Sequence, residues 1–497
     1  MTNQLKTLKG YKLIIGYLGI FLILVGGINL LPLSMLIFYP EDYIYTLNFL
    51  IPGISSIVIG YIISRTLKNK HLAKFHNHED MVFVVLVWVI AIIVSSLPFF
   101  LHGFSLTHSI FEATSGLTTT GLSILTVLVL PKIFQFHQMI LLFFGGIGLV
   151  LIMTSAISDR YGMKLYTAEG HNDKLLSNLA KSAKLIMAMY MGFIIFGAIS
   201  FKLFGMDLFD AFFYAISAVS TGGFSPHVES ISHYNHIGIE IIAMILMLLG
   251  ATNFLTHLYL LSGKFKKVFN HGITYLFIGI IIIFTSLVTI NLIDSKIILH
   301  PLQSSSNFEY LRHALFTVIS GVTTTGLTTI SGFNILPGFS IMLILLLMLI
   351  GGQAGSTGGA IKQDRILLSL QSSYWYIKDK MSHNRMIRTN FVKKYDHYEQ
   401  VTDLDIRHNY AFIFIYFMIW ITGSIIIMSQ GFNLESSLFD MASAMSNTGF
   451  TQGIMHRTTN NFTLWIFILG MFSGRLEFTI IFVTIIKIFK SIIKKEN

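Results

Sequence analysis

The sequence predicts an all-α integral membrane protein of ten transmembrane helices. The last eight form four fused helix–pore loop–helix repeats in pseudo-fourfold arrangement, behind two N-terminal helices. Three observations predict this. Only 12% of the 497 residues are charged and 53% are hydrophobic, where a soluble chain carries roughly 25% charge. The apolar residues gather in ten stretches of the length that crosses a bilayer, about 20 residues. One Ser/Thr/Gly cluster recurs four times in register. A soluble enzyme, a nucleic-acid binder and a disordered chain are excluded, the last by 43 Phe.

The stretches are 13–38, 46–64, 82–101, 135–157, 185–204, 237–262, 273–293, 339–361, 409–429 and 462–486. The first is too long for a signal-peptide core and no small-residue cleavage site comes after it, so it is read as a retained helix. With a cytoplasmic N-terminus, 28 of the 34 Lys and Arg fall in cytoplasmic segments. Only Lys132, Lys202, Lys296, Arg312 and Arg457 fall at the outer side, and Arg475 lies within a span. This alternation is the positive-inside rule, and it places both termini in the cytoplasm. The net charge of +10 therefore records orientation and attraction to anionic lipid, with no nucleic-acid partner. The absence of Cys excludes disulfides and thiolate metal sites.

The outer connections of the four helix pairs each carry a short apolar helical pattern ending in a polar cluster. The clusters run Phe111–Leu122, Phe213–Phe224, Phe316–Leu327 and Phe439–Phe450. Phe, Ser (Ser115, Ser217, Ser320, Ser443) and the last Gly (Gly121, Gly223, Gly326, Gly449) keep the same offsets in all four. Those glycines are 102, 103 and 123 residues apart. Each unit crosses twice, so the copies share one orientation, a parallel repeat. The implied boundaries are 1–78 for an N-terminal two-helix domain, then 79–160, 161–268 and 269–366 for three pore repeats. A basic cytoplasmic segment, 367–408, precedes the fourth repeat, 409–497.

Non-helical backbone at membrane depth is tolerated where it lines a wet cavity or is packed in protein. Loop carbonyls replace the water of a dehydrated cation, and glycine opens the dihedrals that aim consecutive carbonyls one way. The preceding half-helix turns its C-terminus, with about half a negative charge, toward the same point. The expected filter is Thr119, Thr120 and Gly121; Thr221, Gly222 and Gly223; Thr324, Thr325 and Gly326; and Asn447, Thr448 and Gly449. No carboxylate lies in these triplets, which points to a monovalent cation. Glu112, Asp210 and Asp440 lie on the half-helices and are expected to brace the loops behind them.

The eighth stretch contains Gly351, Gly352, Gly355, Ser356, Thr357, Gly358 and Gly359, and Lys362 follows it directly. Glycine costs about 1 kcal/mol per residue inside a helix, so this stretch reads as an interrupted helix, and interrupted helices line ion pathways. Gly145, Gly146, Gly148, Gly250, Gly470 and Gly474 hold the matching positions of the other repeats and suit close helix contact. Arg475 is a charge in mid-span, where a cavity or partner is required. Glu477, Asn253 or a backbone carbonyl could hold it, and it would obstruct cations.

With these motifs the chain resembles the Trk/Ktr/HKT superfamily of potassium transporters, over about residues 80–490. The two extra N-terminal spans make it most like the bacterial TrkH-like membrane subunit. The resemblance implies K+ as the transported ion, held by backbone carbonyls of the filter residues, because a glycine in all four loops accompanies K+ preference. It implies that Gly351–Lys362 is a movable gate beneath the filter with a matching arginine, Arg475, near it. Ala360 stands where the family usually has glycine. It also implies a homodimer seated on a cytoplasmic nucleotide-binding regulatory ring, in the bacterial cytoplasmic (inner) membrane.

Remaining features are quieter. The pairs His233/His236 and His76/His78 lack the context of a zinc site. No phosphate-binding Gly-rich motif and no nucleophile–base set occurs, so neither an enzyme nor a bound organic cofactor is expected. The segment 362–408, with Tyr374, Trp375 and Tyr376 among its basic residues, suits anionic lipid or a docking regulator. The expected function is K+ uptake, with a Na+-permeable or ion-coupled symporter of the same fold as the rival.

Overall fold

The computed structural model describes residues 11–65, 79–125, 130–148, 179–297, 306–381 and 389–493. Two helices, α1 (Tyr11–Leu30) and α2 (Thr46–Ser64), form the N-terminal hairpin. They touch backbone to backbone: a Cβ at Gly19 would lie 2.8 Å from Gly60 O, and one at Gly26 would lie 2.7 Å from Gly53 O. Small residues let helices in lipid approach closely, where van der Waals packing replaces the hydrophobic drive.

The four repeats come next. The first holds α3 (Glu79–Leu101), the half-helix α4 (Leu106–Leu117) and α5 (Lys132–Ile147). The second holds α6 (Leu179–Leu203), half-helix α7 (Leu208–Val219), α8 (Ile237–Ala251), α9 (Phe254–Leu261) and α10 (Phe265–Phe269). The third holds α11 (Gly272–Ser295), half-helix α12 (Asn307–Val322), α13 (Gly338–Ile350) and, past the glycine segment, α14 (Gln363–Lys380). An antiparallel hairpin, β1 (Asn390–Lys394) with β2 (His397–Val401), leads to the fourth repeat. That repeat holds α15 (Asp403–Met428), half-helix α16 (Leu434–Ser446), α17 (Asn461–Leu476) and α18 (Phe478–Ile493).

Six of these segments are long and apolar enough to cross a membrane: Ile14–Ile37, Pro40–Ser64, Glu79–Leu101, Lys181–Leu203, Gly272–Ser295 and Asp403–Met428. The other four expected spans are not continuous helices. The helix after each pore loop stops after 16, 15, 13 and 16 residues, short of the bilayer. Two resume at a sharp angle, α8 to α9 at 113° and α17 to α18 at 103°. Counting each bent pair as one span gives up to eight. The sequence signals an interruption strongly only in 339–361. The signals in the other repeats are small: Gly148 (φ 94°), an Asn253 cap and Glu477 (φ 59°). The rest of 135–157, past Gly148, lies outside the described residues, as do His76 and His78.

The chain packs as two compact units. One comprises Met1–Thr119, Ser123–Gly192 and Arg457–Asn497; the other comprises Thr120–Leu122 and Phe193–His456. The core of the first includes a ring cluster in which Phe134 meets Phe49 at 5.0 Å and Phe99 at 5.8 Å. In the second, Phe333 packs on Phe450 at 4.3 Å and on Phe439 at 5.3 Å. The exposed faces of the long helices are apolar too, with Ile282, Ile283, Phe414 and Ile425 uncovered. Such faces suit lipid rather than water.

Candidate functional site

Each half-helix opens on a capping residue, Ser105, Asp207, Ser306 or Asn433. Three of them accept a backbone hydrogen bond on the side chain. Each also closes the same way. Thr119, Thr221, Thr324 and Asn447 take left-handed φ of 53°, 52°, 55° and 56°. Their N–H groups donate to Gly116, Ala218, Gly321 and Ala444 at 3.1, 3.2, 3.1 and 3.3 Å. The next N–H reaches back five residues in three loops: Gly222 to Ser217, Thr325 to Ser320 and Thr448 to Ser443, at 2.8, 2.9 and 2.9 Å. This pair of bonds is the Schellman cap, whose left-handed position glycine normally fills. A β-branched residue there costs about 1–2 kcal/mol, strain that surrounding contacts must hold.

Two residues later the chain turns left-handed again, at Gly121 (80°), Gly223 (69°), Gly326 (85°) and Gly449 (95°). The residue between has no positive φ, so the sign of φ alternates along each triplet. The glycines close a ring. A Cβ on Gly121 would strike Gly222 O, one on Gly223 would strike Thr325 O, one on Gly326 Thr448 O, and one on Gly449 Thr120 O. Asn447 adds a side-chain bond to the first loop, Nδ2 to Thr120 Oγ1 at 2.9 Å. The predicted filter residues Thr120–Gly121, Thr221–Gly223, Thr324–Gly326 and Asn447–Gly449 thus surround one axis in chain order. A cavity of about 530 Å³ adjoins Gly326 and Gly449, with Glu229 at its wall.

The serine shared by the clusters ties three loops shut from behind. Ser217 Oγ donates to Phe224 O at 2.8 Å, Ser320 Oγ donates to Leu327 O at 2.7 Å, and Gly449 N donates to Ser443 Oγ at 3.0 Å. The half-helix acids brace the chain just past each triplet. Glu112 accepts from Ser123 Oγ and Ile124 N, each at 2.8 Å, and from Gln138 Nε2 at 3.2 Å. Asp440 accepts from Thr451 Oγ1 and Gln452 N, each at 2.7 Å. Asp210 meets His227 Nε2 at 2.5 Å and the Tyr234 hydroxyl. Burial, then the Asp210 carboxylate, holds the Tyr234 phenol well above its usual pKa. In the third repeat His313, at the offset of Asp210, meets Thr329 Oγ1 at 2.9 Å.

The glycine segment breaks the chain between Ile350 and Gln363 and packs against half-helix ends. Thr357 Oγ1 donates to Val219 O at 3.0 Å and to Gly250 O at 2.9 Å. Gly359 N donates to Thr324 Oγ1 at 2.8 Å. A Cβ on Gly359 would strike Ser446 O, and one on Gly351 would lie 2.5 Å from Gly359 O. Ser356 Oγ donates to Gln353 O at 2.6 Å, and Lys362 Nζ donates to Gly358 O. Gln363 Nε2 donates to Gly351 O at 2.9 Å. A Cβ on Gly352 would lie 3.2 Å from Ala251 O and one on Gly358 3.1 Å from Thr323 O. Gly355 is left-handed (71°), and so is Ala360 (68°), without glycine's freedom.

Arg475 holds backbone carbonyls of the first repeat, NH2 donating to Gly145 O at 2.5 Å and Gly146 O at 3.4 Å. Its NH1 reaches Thr119 Oγ1 at 3.5 Å. The left-handed residue therefore has a corresponding partner in three loops: Thr357 beside Thr221 at 3.2 Å, Gly359 at Thr324, and Arg475 at Thr119. Two contributors carry no signal in the sequence pattern. Gln353 accepts from Asn253 N through Oε1 at 3.1 Å. Arg312 grips Glu240 with both arms, Nε to Oε2 at 2.7 Å and NH2 to Oε1 at 2.6 Å. Charge counting alone places Arg312 only at the outer surface.

Residues 47–493 match the family model described as TrkH, cation transport protein. The chain is 31% identical over 485 residues to an uncharacterised cation transporter of Methanocaldococcus jannaschii, covering 95% of this chain and 94% of that protein. It is 29% identical over 486 residues to the Trk system potassium uptake protein TrkH of Escherichia coli, covering 94% and 96%. The crystal structure of the potassium transporter TrkH from Vibrio parahaemolyticus aligns with a TM-score of 0.82 at 26% identity, over 95% of this chain and 98% of that one.

Proposed function

The chain belongs to the TrkH family of cation transport proteins, and from that membership we propose that it carries K+ into the cell through the ring of four triplets. The observation that carries this reading is the closed sequence of glycine-to-carbonyl approaches among Gly121, Gly223, Gly326 and Gly449. Carbonyls aimed at one axis replace the hydration shell of a monovalent cation, and four half-helix C-termini add negative potential there. Segment 351–362 and Arg475 are the gating residues: the first packs against the ends of the second to fourth half-helices, and the second holds a positive charge on the Gly145 and Gly146 carbonyls. The membrane is the bacterial cytoplasmic one, both termini face the cytoplasm, and the working assembly is a homodimer on a cytoplasmic nucleotide-binding ring. The repeat boundaries 79–160, 161–268, 269–366 and 409–497 give each unit one loop.

The test is cation uptake into proteoliposomes holding only this chain, with K+, Rb+, Na+ and Li+ compared. Uptake of K+ and Rb+ that Na+ barely competes with supports the filter. Comparable Na+ uptake moves the protein to the sodium-permeable or ion-coupled reading. No uptake even after deletion within 355–359 overturns conduction.

A further inference from the structure

No residue of either strand of the β1–β2 hairpin is buried, yet Tyr395 in its turn is. A lone two-stranded hairpin is marginally stable in water, so its anchorage matters. Tyr395 is also left-handed, φ 51°, a strained choice for an aromatic residue. That conformation delivers the ring into a built seat. It stacks on His271 at 4.3 Å and 24°, meets the Tyr259 ring at 5.0 Å and 66°, and hydrogen-bonds through its hydroxyl to Thr256 Oγ1 at 2.9 Å. Beside it Lys267 pairs with Asp396 at 2.5 Å.

Thr256 and Tyr259 belong to α9, the piece bent away from α8. The elbow between α8 and α9 is sewn to the glycine segment. Gln353 N donates to Ala251 O at 3.0 Å, Asn253 N donates to Gln353 Oε1 at 3.1 Å, Asn253 Nδ2 donates to Ala354 O at 2.6 Å, and Phe254 N donates to Gly355 O at 3.3 Å. A continuous set of contacts therefore runs from the hairpin turn through α9 to residues 353–355.

We propose that the hairpin is a latch on the gate and that Tyr395 is its positioning residue. Seated against α9 and His271, it fixes the elbow, and the elbow fixes one flank of segment 351–362. Withdrawal of the hairpin frees α9 and loosens that flank, which gives a cytoplasmic event a mechanical route to the pore. The inference rests on the reading of 351–362 as the gate.

The experiment compares K+ flux in proteoliposomes with hydrogen–deuterium exchange in the same full-length protein. Tyr395→Ala is expected to raise flux about five- to tenfold, the scale set by losing one buried hydrogen bond and its packing. K+ over Na+ competition stays unchanged, because the filter is untouched. Exchange speeds up across 351–362 and not across 307–326, which separates unlatching from general loosening. Lys267→Asp, at the partly exposed pair, raises flux in the same direction, and adding Asp396→Lys reverses it. That charge swap decides the matter if Tyr395→Ala does not fold. Wild-type flux and exchange in these variants, alongside raised flux on deletion within 355–359, overturn the latch and leave the gate standing. Unchanged flux in the deletion as well overturns both.

Discussion

At Gly121 two constraints meet. Its φ of 80° lies where side chains are strained, and a Cβ there would strike the Gly222 carbonyl. The same holds in turn at Gly223, Gly326 and Gly449, so each loop shapes the next. We expect Gly121→Ser to cut K+ over Na+ discrimination about tenfold, the effect of displacing one carbonyl by about 1.4 kcal/mol. Competition of Na+ with K+ uptake measures it, and an unchanged ratio would sink the filter assignment. The glycines are legible in sequence as registered repeats. The left-handed Thr119, Thr221, Thr324 and Asn447 are not, because a cap conformation is chosen by the packing that holds it, and propensity argues against it.

Among the elements, the helices that come after the pore loops share an early stop. All four stop short, and at two of the stops a glycine lets the helix touch a half-helix end, Gly145 at Leu117 O and Gly250 at Val219 O. The charge-assisted bond from Arg475 to the Gly145 carbonyl is worth about 1.5–3 kcal/mol. Removal frees the first repeat's break and takes away the positive charge held there. We expect Arg475→Ala to raise K+ flux about tenfold or more, the equivalent of one such bond. Equal or lower flux in folded protein counts against its part in the gate. Five glycines in nine residues announce the interruption in the third repeat. The other three breaks carry one or two small signals each, which periodicity averages away.

At the scale of the molecule, the second and third repeats are joined by a buried polar clamp. Arg312 on α12 of the third repeat grips Glu240 on α8 of the second, with both side chains largely buried. Breaking one partner of a buried pair costs about 3–5 kcal/mol, whereas replacing both by apolar groups costs far less. Arg312→Met should therefore lower the apparent melting temperature in detergent clearly, and Arg312→Met with Glu240→Leu should recover most of the loss. A single variant that melts like the parent would mean the pair does not hold the second and third repeats together.

The sequence by itself determined the class of protein, the fourfold repeat, the registered loop glycines and the glycine-rich interruption. Each of these is written locally, in composition, hydropathy, loop charge or a motif repeated at fixed offsets. Only the tertiary structure decided that the glycines close a ring, that Arg475 rests on carbonyls of the first repeat, and that Tyr395 is seated against α9. In each case the partner is a backbone carbonyl or a side chain about 100 residues or more away. No local pattern specifies such a partner, because the contact exists only once the intervening helices have packed.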